Sequence, residues 1–354
     1  MLKALVFVLY AASASPLVFP AVDDQLFRPE YSGSRFAREG RQKRWMSESS
    51  RRLRRQNFVF PTKEIEDFLT SIRGKPSSDT IVFPGPSGKP FVPSGEFGYG
   101  SEDGPSTWFR EFPFCGLKRQ SPIDIDLSRA RRPPSHEDSA LFFNNYDALP
   151  SRLTVMNSGH SLRLTGEWAA GKRPTISGLA LHGDYSFSEI HFHWGEDDGE
   201  GSEHMVQGRR FPLEMHEVHY KTEYGSFNES LKKRDGLVVI SYLFNIGKHN
   251  HPLSRILKVS GDVVRPESPA VDIDPFRLDE LAPPFGRNYA VYVGSLTTPP
   301  CTEIVTWIVN LEPQHVSSEQ LQNLRGLMRS AGTRMLFNFR PVQSLNGRTV
   351  MRVP

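Results

Sequence analysis

The chain has 354 residues, of which 38% are hydrophobic and 23% charged, and its formal net charge is +3. This length allows one large domain with additional segments, at roughly 100–200 residues per domain. Residues 1–55 carry 11 Lys and Arg against 5 Asp and Glu, so the rest of the chain is net acidic, which argues against a basic nucleic-acid-binding domain. The 28 Gly, 28 Pro and 24 Phe residues favour a turn-rich β protein over a helical bundle.

The first 14 residues have the form of a secretory signal peptide. Lys3 precedes an apolar stretch at residues 4–12, and Ala12-Ser13-Ala14 offers a cleavage site of the small-residue type. The stretch is too short for a membrane span, which needs about 20 apolar residues. The sequence therefore predicts a secreted, extracellular protein with no membrane span; a buried N-terminal strand is the alternative interpretation.

Residues 15–95 form a low-complexity segment in which Arg-rich, Ser-rich and Pro/Gly-rich stretches alternate. Such a composition buries too little apolar surface to offset the entropy of ordering the chain. Two motifs of the form R-x-[KR]-R end at Arg44 and Arg55, and they indicate a processing protease as a partner. A removable propeptide and a permanently solvated basic arm are both open.

Residues 96–354 are predicted to form one β-dominated α+β domain, because short β-rich runs alternate with turn signals. A capped helix is expected to begin at Ser317, and a second short helix is expected at residues 226–233. The predicted strands are residues 161–165, 187–194, 214–220, 237–244, 289–293 and 304–309.

The chain has two cysteines, Cys115 and Cys301. In an oxidising compartment an even pair without a third thiol predicts a disulfide, and two free buried thiols are the alternative. Asn228-Glu229-Ser230 is an acceptor sequence for N-glycosylation, so Asn228 is a candidate site in a secreted protein.

The segment from Glu189 to Trp194 places two histidines at alternate positions. Side chains two residues apart share one face of a strand, so His191 and His193 point the same way, as a pair of metal ligands would. His216 takes a matching place on the next of these strands, whereas His219 falls on the opposite face. Three imidazoles that leave one position open suit a catalytic zinc site.

Other interpretations of these histidines are open. Two hydrogen-bonded surface histidines also produce an H-x-H pattern. A cupin-type iron or manganese site would use Glu196 or Glu200, although Glu196 follows after two residues where such sites usually have three or four.

Two carboxylates accompany the histidines on their own faces. Glu189 lies beside His191, and Glu214 lies beside His216. Each is placed to accept the ring N–H that a metal leaves unused, which favours zinc. Two solvated strand carboxylates would show the same spacing.

Motifs at separated positions follow one another along the chain: His191-Phe-His-Trp-Gly195, Gly201-Ser-Glu-His204, Glu214-Met-His216 with His219, and Gly294-Ser-Leu-Thr-Thr-Pro-Pro300, together with Tyr99-Gly100, Gln120-Ser-Pro-Ile-Asp124, Asn157-Ser-Gly-His160, Ser317-Ser-Glu-Gln320 and Asn338-Phe-Arg-Pro341. In this order they resemble the α-class carbonic anhydrases, from about Phe97 to Val353. The resemblance implies a twisted, mainly antiparallel central sheet with short peripheral helices. It also implies reversible hydration of CO2 to bicarbonate and a proton by attack of zinc-bound hydroxide.

The resemblance assigns roles to individual residues. The zinc ligands would be His191, His193 and His216. Thr297 and Glu203 would orient the hydroxide, His160 would relay protons, and Tyr99 would order the relay waters. The apolar substrate pocket would be formed by Val218, Val239, Leu296, Val305 and Trp307, with Thr298 at its edge. Cys115 and Cys301 match the pair that is bridged in secreted and membrane-bound members.

Two positions depart from the pattern of the family. Glu189 stands where Gln is common, and as a stronger acceptor it should leave zinc bound with altered water acidity. Arg163 stands where a neutral residue is frequent, and a cation there would attract bicarbonate and small anionic inhibitors while disfavouring a charged proton relay. A solvent-facing strand arginine is the alternative for Arg163. The alternative function is a secreted noncatalytic matrix or adhesion module of the same fold.

Overall fold

The computed structural model of the chain describes residues 96–133, 140–179 and 181–354. The predicted signal peptide at 1–14, the segment at 15–95 and the motifs ending at Arg44 and Arg55 lie outside the described residues. Within the described ranges, no helix has the length and apolar character that crossing a membrane requires.

The described residues form thirteen strands and four short α-helices, with 3-10 turns at Trp108–Arg110, Pro113–Gly116 and Thr222–Tyr224. The strands are β1 (Asp124–Ile125), β2 (Leu141–Asn144), β3 (Arg152–Asn157), β4 (Leu162–Glu167), β5 (Thr175–Gly178), β6 (Tyr185–Trp194), β7 (Met205–Val206), β8 (Leu213–Lys221), β9 (Leu237–Ile246), β10 (Val271–Ile273), β11 (Tyr289–Gly294), β12 (Val305–Val316) and β13 (Met351–Val353). The helices are α1 (Phe227–Ser230), α2 (His251–Leu257), α3 (Leu278–Leu281) and α4 (Ser318–Arg325).

Eleven of these strands form one sheet in the order β10-β3-β4-β6-β8-β9-β12-β11-β13, with β5 also pairing with β6 and carrying β2. Every pairing in this sheet is antiparallel except that of β9 with β12. The prediction of a β-dominated fold with a mainly antiparallel sheet is therefore confirmed. All six predicted strands are present, and β12 continues to Val316 through a shift of register between Asn310 and Gln314.

The alternation of side chains along β6 separates two cores. Ile190, Phe192 and Trp194 are fully buried on one face, in a cluster with side chains from β3, β4, β8 and β9. On the other face a second cluster includes Val218, Val239 and Trp307. The face of β6 that carries the two histidines is therefore the face on which the second core lies, next to β8.

The two predicted helices are present and begin where their caps were expected. The Ser317 side chain accepts a hydrogen bond from the Gln320 N–H, and the Gln320 side chain returns to the Ser317 backbone N–H, which completes a capping box ahead of α4. Ser226 caps α1 through the Glu229 N–H. Helix α1 ends at Ser230, earlier than the predicted end at 233.

The predicted disulfide is confirmed: Cys115 and Cys301 are bonded, with Cα atoms 4.9 Å apart and a sequence separation of 186. Both cysteines lie in a third buried cluster with Tyr99, Trp108 and Phe112. The Cys301 N–H donates to the Thr298 carbonyl at 2.9 Å, so the bridge fixes one end of the loop that carries the predicted active-site threonines.

Replacing both cysteines by serine is expected to lower the free energy of unfolding by at most about 5 kcal/mol, because the bridge restricts a long loop in the unfolded chain. Turnover should fall as well, since the loop at Thr297 and Thr298 loses its anchor. Urea unfolding and initial-rate assays of the two proteins measure both effects. A reductant should damage the native protein and leave the double-serine variant unchanged; equal stability of the two proteins would contradict the expectation.

Glu217 is a buried carboxyl on the opposite face of β8 from the predicted ligands. Neither of its oxygens has a hydrogen-bond partner in the described structure. The neighbouring Tyr146 hydroxyl instead contacts His219 Nε2 at 2.8 Å. Burial raises the pKa of Glu217 to about 8, so this carboxyl is protonated at neutral pH. Nothing in the sequence pattern predicts that this carboxyl is buried.

Replacing Glu217 by Gln should stabilise the fold at alkaline pH. The folded state keeps a proton on Glu217 that the unfolded chain releases above its ordinary pKa of 4.5, so the stability of the native protein falls as the pH rises from about 4.5 to about 8. At pH 7 the free energy of unfolding of the native protein should be about 3 kcal/mol lower, through Glu217 alone, than at a pH below 4.5. Urea unfolding between pH 5 and 8 should show a flatter pH dependence for Glu217→Gln, and parallel curves would contradict this.

Candidate metal centre

The register of the sheet brings the predicted metal ligands together. His191 on β6 is paired directly with His216 on β8, and His216 is paired with Ser241 on β9. On its other side His191 is paired with Arg163 on β4. Directly paired residues on adjacent strands have Cβ atoms about 4.5–5.5 Å apart, so the side chains of one such row meet on one face.

The three imidazoles of His191, His193 and His216 form a group in which one nitrogen of each ring lies within 4.8 Å of the others. His216 Nδ1 and His191 Nε2 are 3.3 Å apart. Tetrahedral zinc with Zn–N bonds of about 2.0–2.1 Å holds neighbouring nitrogens about 3.3 Å apart, so this spacing fits the ion. His193 Nε2 is buried without a hydrogen-bond partner in the described structure, which is the state of a ligand atom whose partner is a metal.

In each ring one nitrogen faces the other two histidines and is called here the inner nitrogen; the other is the outer nitrogen. Each outer nitrogen has its own hydrogen-bond acceptor. His191 Nδ1 contacts Glu189 Oε1 at 3.2 Å, and His216 Nε2 contacts Glu214 Oε1 at 2.6 Å. These are the two carboxylates that the spacing indicated. His193 Nδ1 contacts the carbonyl oxygen of Asn338 at 2.8 Å. Because the outer nitrogens are engaged as donors, the inner nitrogens are left as lone-pair ligands.

Glu214 is held by a network that the sequence pattern did not reveal. Its carboxylate also accepts from His204 Nδ1 at 2.6 Å, from the His204 backbone N–H at 2.7 Å and from the Ser241 hydroxyl at 2.7 Å. His204 Nε2 in turn contacts the Tyr292 hydroxyl at 2.7 Å. Burial alone would raise the pKa of Glu214, but His204 and His216 hold it well below its ordinary value. Glu214 is therefore an ionised and fully partnered acceptor.

The two most buried ligand candidates are kept neutral. Burial lowers the pKa of His216 to about 4, and burial together with the neighbouring histidines lowers the pKa of His193 well below its ordinary value. A neutral imidazole is the form that binds a metal. Both rings therefore present a free lone pair at neutral pH.

Glu203 is fully buried next to two of the imidazoles, and its Oε2 lies 3.9 Å from His216 Nδ1. Its Oε1 accepts the Arg340 backbone N–H at 2.8 Å and lies 3.5 Å from His193 Nδ1. Burial raises the pKa of Glu203 well above its ordinary value, and the charge of Glu214 raises it further, whereas the Thr297 hydroxyl lowers it. Thr297 thus acts on the pKa of Glu203, the residue with which the resemblance pairs it.

The predicted apolar pocket lies on the same face of the sheet. Val218 on β8 pairs with Glu189 on β6 and with Val239 on β9, and Val239 pairs with Trp307 on β12. The Trp307 ring lies 4.7 Å from the ring of His216, measured between centroids. The remaining members of this apolar set, Leu296 and Val305, pack in the same cluster. Thr298 stands beside them in the loop and is partly exposed.

His160 lies flat against Phe97, with ring centroids 3.8 Å apart and planes inclined by 11°. The two rings border a cavity of about 180 Å³ that Tyr99, Asp103 and Arg329 also line. Burial lowers the pKa of His160 to about 4, and the Arg329 charge lowers it further while Asp103 opposes the change. The cation that acts on His160 is thus Arg329, whereas the sequence had suggested Arg163. The Tyr99 hydroxyl is buried without a hydrogen-bond partner in the described structure.

Arg163 is paired rather than free. Its Nη1 lies 3.2 Å from Glu189 Oε2, and its Nη2 lies 3.0 Å from Met156 Sδ. Burial alone would raise the pKa of Glu189, but the hydrogen bond with His191 and the charge of Arg163 bring it below its ordinary value. Glu189 therefore offsets the charge of Arg163, and the attraction of bicarbonate and small anions by Arg163 stays a prediction.

Several predicted features lie apart from the centre. Glu196 and Glu200 are exposed, and neither belongs to a group of the described residues that could hold a metal, so the cupin-like alternative has no support here. His219 points to the opposite face, as predicted, and contacts Tyr146. Asn228 is exposed on α1, whereas Ser230 of the same acceptor sequence is buried.

Three contributors have no individual role that the sequence pattern predicts: Asn338, Arg340 and His204. Asn338 and Arg340 act through backbone groups, which carry no residue-specific signal. The buried Arg340 side chain also donates to Gln120 Oε1 at 2.9 Å and to the Cys115 carbonyl at 3.1 Å, so it connects the disulfide region to Glu203. All three residues lie within motifs that marked the resemblance.

Comparison with known proteins agrees with this geometry. Residues 103–354 match the family model of the eukaryotic-type carbonic anhydrases, and the chain belongs to that family. It is 39% identical to carbonic anhydrase 7 of Mus musculus over 259 residues, which cover 72% of this chain and 96% of the relative. It is 35% identical to carbonic anhydrase 3 of Homo sapiens over 261 residues, which cover 72% of this chain and 97% of that relative. The prediction of an enzyme of the carbonic anhydrase type is confirmed at the level of the family.

Proposed function

We propose that the protein catalyses the reversible hydration of CO2 to bicarbonate and a proton with a zinc ion held by His191, His193 and His216. The observation that supports this most strongly is the convergence of three imidazole nitrogens whose ring partners are already engaged, one of them, His193 Nε2, buried and unpaired. All three ligands are retained, which argues against a noncatalytic matrix or adhesion module.

Zinc would act here as a Lewis acid that supplies hydroxide at neutral pH, a chemistry for which carbonic anhydrases are themselves the standard example. The chain's own residues prepare this site. Glu189, the Asn338 carbonyl and Glu214 orient the three rings, and the low pKa values of His193 and His216 keep those rings neutral.

Thr297 and Glu203 orient the reacting oxygen in this proposal. A threonine hydroxyl whose one O–H donates to a carboxyl oxygen of Glu203 can act toward a further neighbour only as an acceptor, so it selects one direction for the proton of a neighbouring hydroxyl group. The Arg340 N–H, 2.8 Å from Glu203 Oε1, holds the carboxyl group in place. This arrangement directs a lone pair toward the substrate without moving any residue.

The apolar side chains beside His216 suit a small nonpolar substrate. Val218, Val239 and Trp307 form one row across three strands, with Leu296 and Val305 in contact with the same cluster. Such a surface offers CO2 no competing hydrogen bonds, whereas bicarbonate is charged and leaves it readily.

The proton must finally reach the solvent, and His160 with Tyr99 is the proposed route. In the position described, His160 has a pKa of about 4 and accepts a proton poorly at neutral pH. We therefore expect Arg329→Gln to raise the pKa of His160, because it removes a nearby cation. The maximal hydration rate in weak buffer should rise, while kcat/KM should stay unchanged.

Proton NMR titration of His160 and stopped-flow assays at low buffer concentration measure these quantities. In the matched control, Arg329→Gln introduced into a His160→Ala background should give no gain in rate. His160→Ala alone should lower the maximal rate in weak buffer, and added imidazole should restore part of it. A maximal rate that neither Arg329→Gln nor His160→Ala changes would show that proton export does not pass through His160.

We also propose that the protein acts outside the cytosol, and that Asn228 is then available for glycosylation. The disulfide and the exposure of Asn228 support this proposal. Peptide mapping of material from the culture medium of expressing cells tests it: a processed N-terminus is expected, and retention of an unprocessed chain inside the cells would contradict it.

Removal and return of the metal test the proposed function. Dialysis against a chelator should abolish CO2 hydration, and one equivalent of zinc per chain should restore it. A chain that stays inactive with one bound zinc would support the noncatalytic alternative, and a chain that binds no zinc would contradict the assigned ligands.

A further inference from the structure

The three outer acceptors of the metal centre differ in what holds them in place. The Asn338 carbonyl is part of the backbone, and Glu214 is fully buried with His204 and Ser241 as further partners. The Glu189 side chain is 20% exposed. Among the side chains described, its hydrogen-bond partners are His191 through Oε1 and Arg163 through Oε2. The orientation of Glu189 therefore depends on Arg163.

Arg163 is itself fixed by its surroundings. It stands directly opposite His191 in the register of β4 and β6, and directly opposite Met156 in the register of β3 and β4. One terminal nitrogen contacts Glu189 and the other contacts Met156 Sδ. A planar guanidinium presents these two donors at a fixed angle, so holding one partner sets the direction of the other.

We propose that Arg163 is a positioning residue of the metal centre, which holds Glu189 against the outer nitrogen of His191 and acts with it as one unit. The inference rests on the proposed function, because it assumes that His191 is a zinc ligand. The two opposite charges also cancel beside the ion. Removing either partner leaves the other as an uncompensated charge next to His191, and removing both does not.

A double-mutant cycle with Arg163→Gln, Glu189→Ala, which removes the acceptor of His191, and the double variant tests this coupling. The readout is the rate of zinc release from the loaded protein to a chromogenic chelator, which does not depend on catalysis. Each single substitution should speed release about 10–100-fold, the general range for partners of metal-bound histidines, which carbonic anhydrases themselves exemplify. The double variant should release zinc no faster than the faster single variant.

Three further measurements separate positioning from a general loss of stability. Arg163→Lys should recover only part of the slow release, because one ammonium cannot hold Glu189 and Met156 together. The metal-free variants should unfold at urea concentrations close to that of the native chain, since a partly exposed ion pair adds little to folding. Arg152→Gln, which breaks the exposed pair with Asp272 on neighbouring strands, is the matched control and should release zinc at the native rate.

Native release from Arg163→Gln, or fold-changes that multiply in the double variant, would overturn the proposal while leaving the zinc function intact. A native chain that binds no zinc would instead overturn the proposed function. The two failures are therefore distinguishable in one set of experiments.

Discussion

Replacing His193 by alanine is expected to remove both zinc and CO2 hydration. His193 is almost fully buried, and its Nε2 has no hydrogen-bond partner within the described structure. Two remaining imidazoles do not complete the three-ligand set that holds catalytic zinc. Elemental analysis should find no stoichiometric zinc, and the hydration rate should fall to that of the buffer.

His251→Ala is the control for this experiment, because His251 is exposed on α2 and belongs to no metal-capable group among the described residues. It should keep one zinc per chain and native activity. Circular dichroism of His193→Ala should show the strand content of the native protein. A folded His193→Ala protein that retains one zinc and native turnover would contradict the assignment of this ligand.

Thr297→Val should separate zinc binding from catalysis. Valine keeps the shape of threonine and removes the hydroxyl that faces Glu203. The three imidazoles and their acceptors are untouched, so the variant should keep one zinc per chain. The hydration rate should fall about 100-fold, because the reacting oxygen loses its fixed direction.

Thr298→Val provides the comparison, because Thr298 lies next in the loop and is partly exposed. Its effect on the hydration rate should be much smaller than that of Thr297→Val. Equal losses in the two variants would indicate that the loop is sensitive to substitution in general and that the Thr297 hydroxyl has no special role. Native activity of Thr297→Val would remove Thr297 and Glu203 from the mechanism.

Local periodicity predicted the part of the centre that lies along single strands. The alternation in β6 placed His191 and His193 on one face and Phe192 in the core, and the pattern of β8 separated His216 from His219. A period of two follows from strand geometry alone, so these features need no tertiary information. The disulfide followed from the number of cysteines and the expected compartment.

Contacts between distant segments escaped prediction because nothing in the local pattern specifies them. The Asn338 carbonyl and the Arg340 N–H are backbone groups, which every residue except proline offers in full. Arg329 reaches His160 from a loop beyond α4, and Arg163 reaches Glu189 through the register of β4 and β6. Register depends on which strands pair. The resemblance identified the family, but it did not specify the contacts that Arg329 and Arg163 make in this chain.

Glu217 shows most clearly how the fold can bury a residue that is expected to be exposed because it is charged. Its charge suggests an exposed position, but its place on β8 directs it into the core, where its pKa rises to about 8. The cost is tolerated because the carboxyl can remain protonated. A sequence pattern alone cannot separate this outcome from an exposed strand carboxylate.

The most direct test of the central claim is the rate of CO2 hydration by the purified chain, measured by stopped flow on a sample whose zinc content is determined in parallel. We expect one zinc per chain and a hydration rate well above that of the buffer, in proportion to the zinc bound. A fully zinc-loaded, folded protein whose hydration rate equals that of the buffer would contradict it.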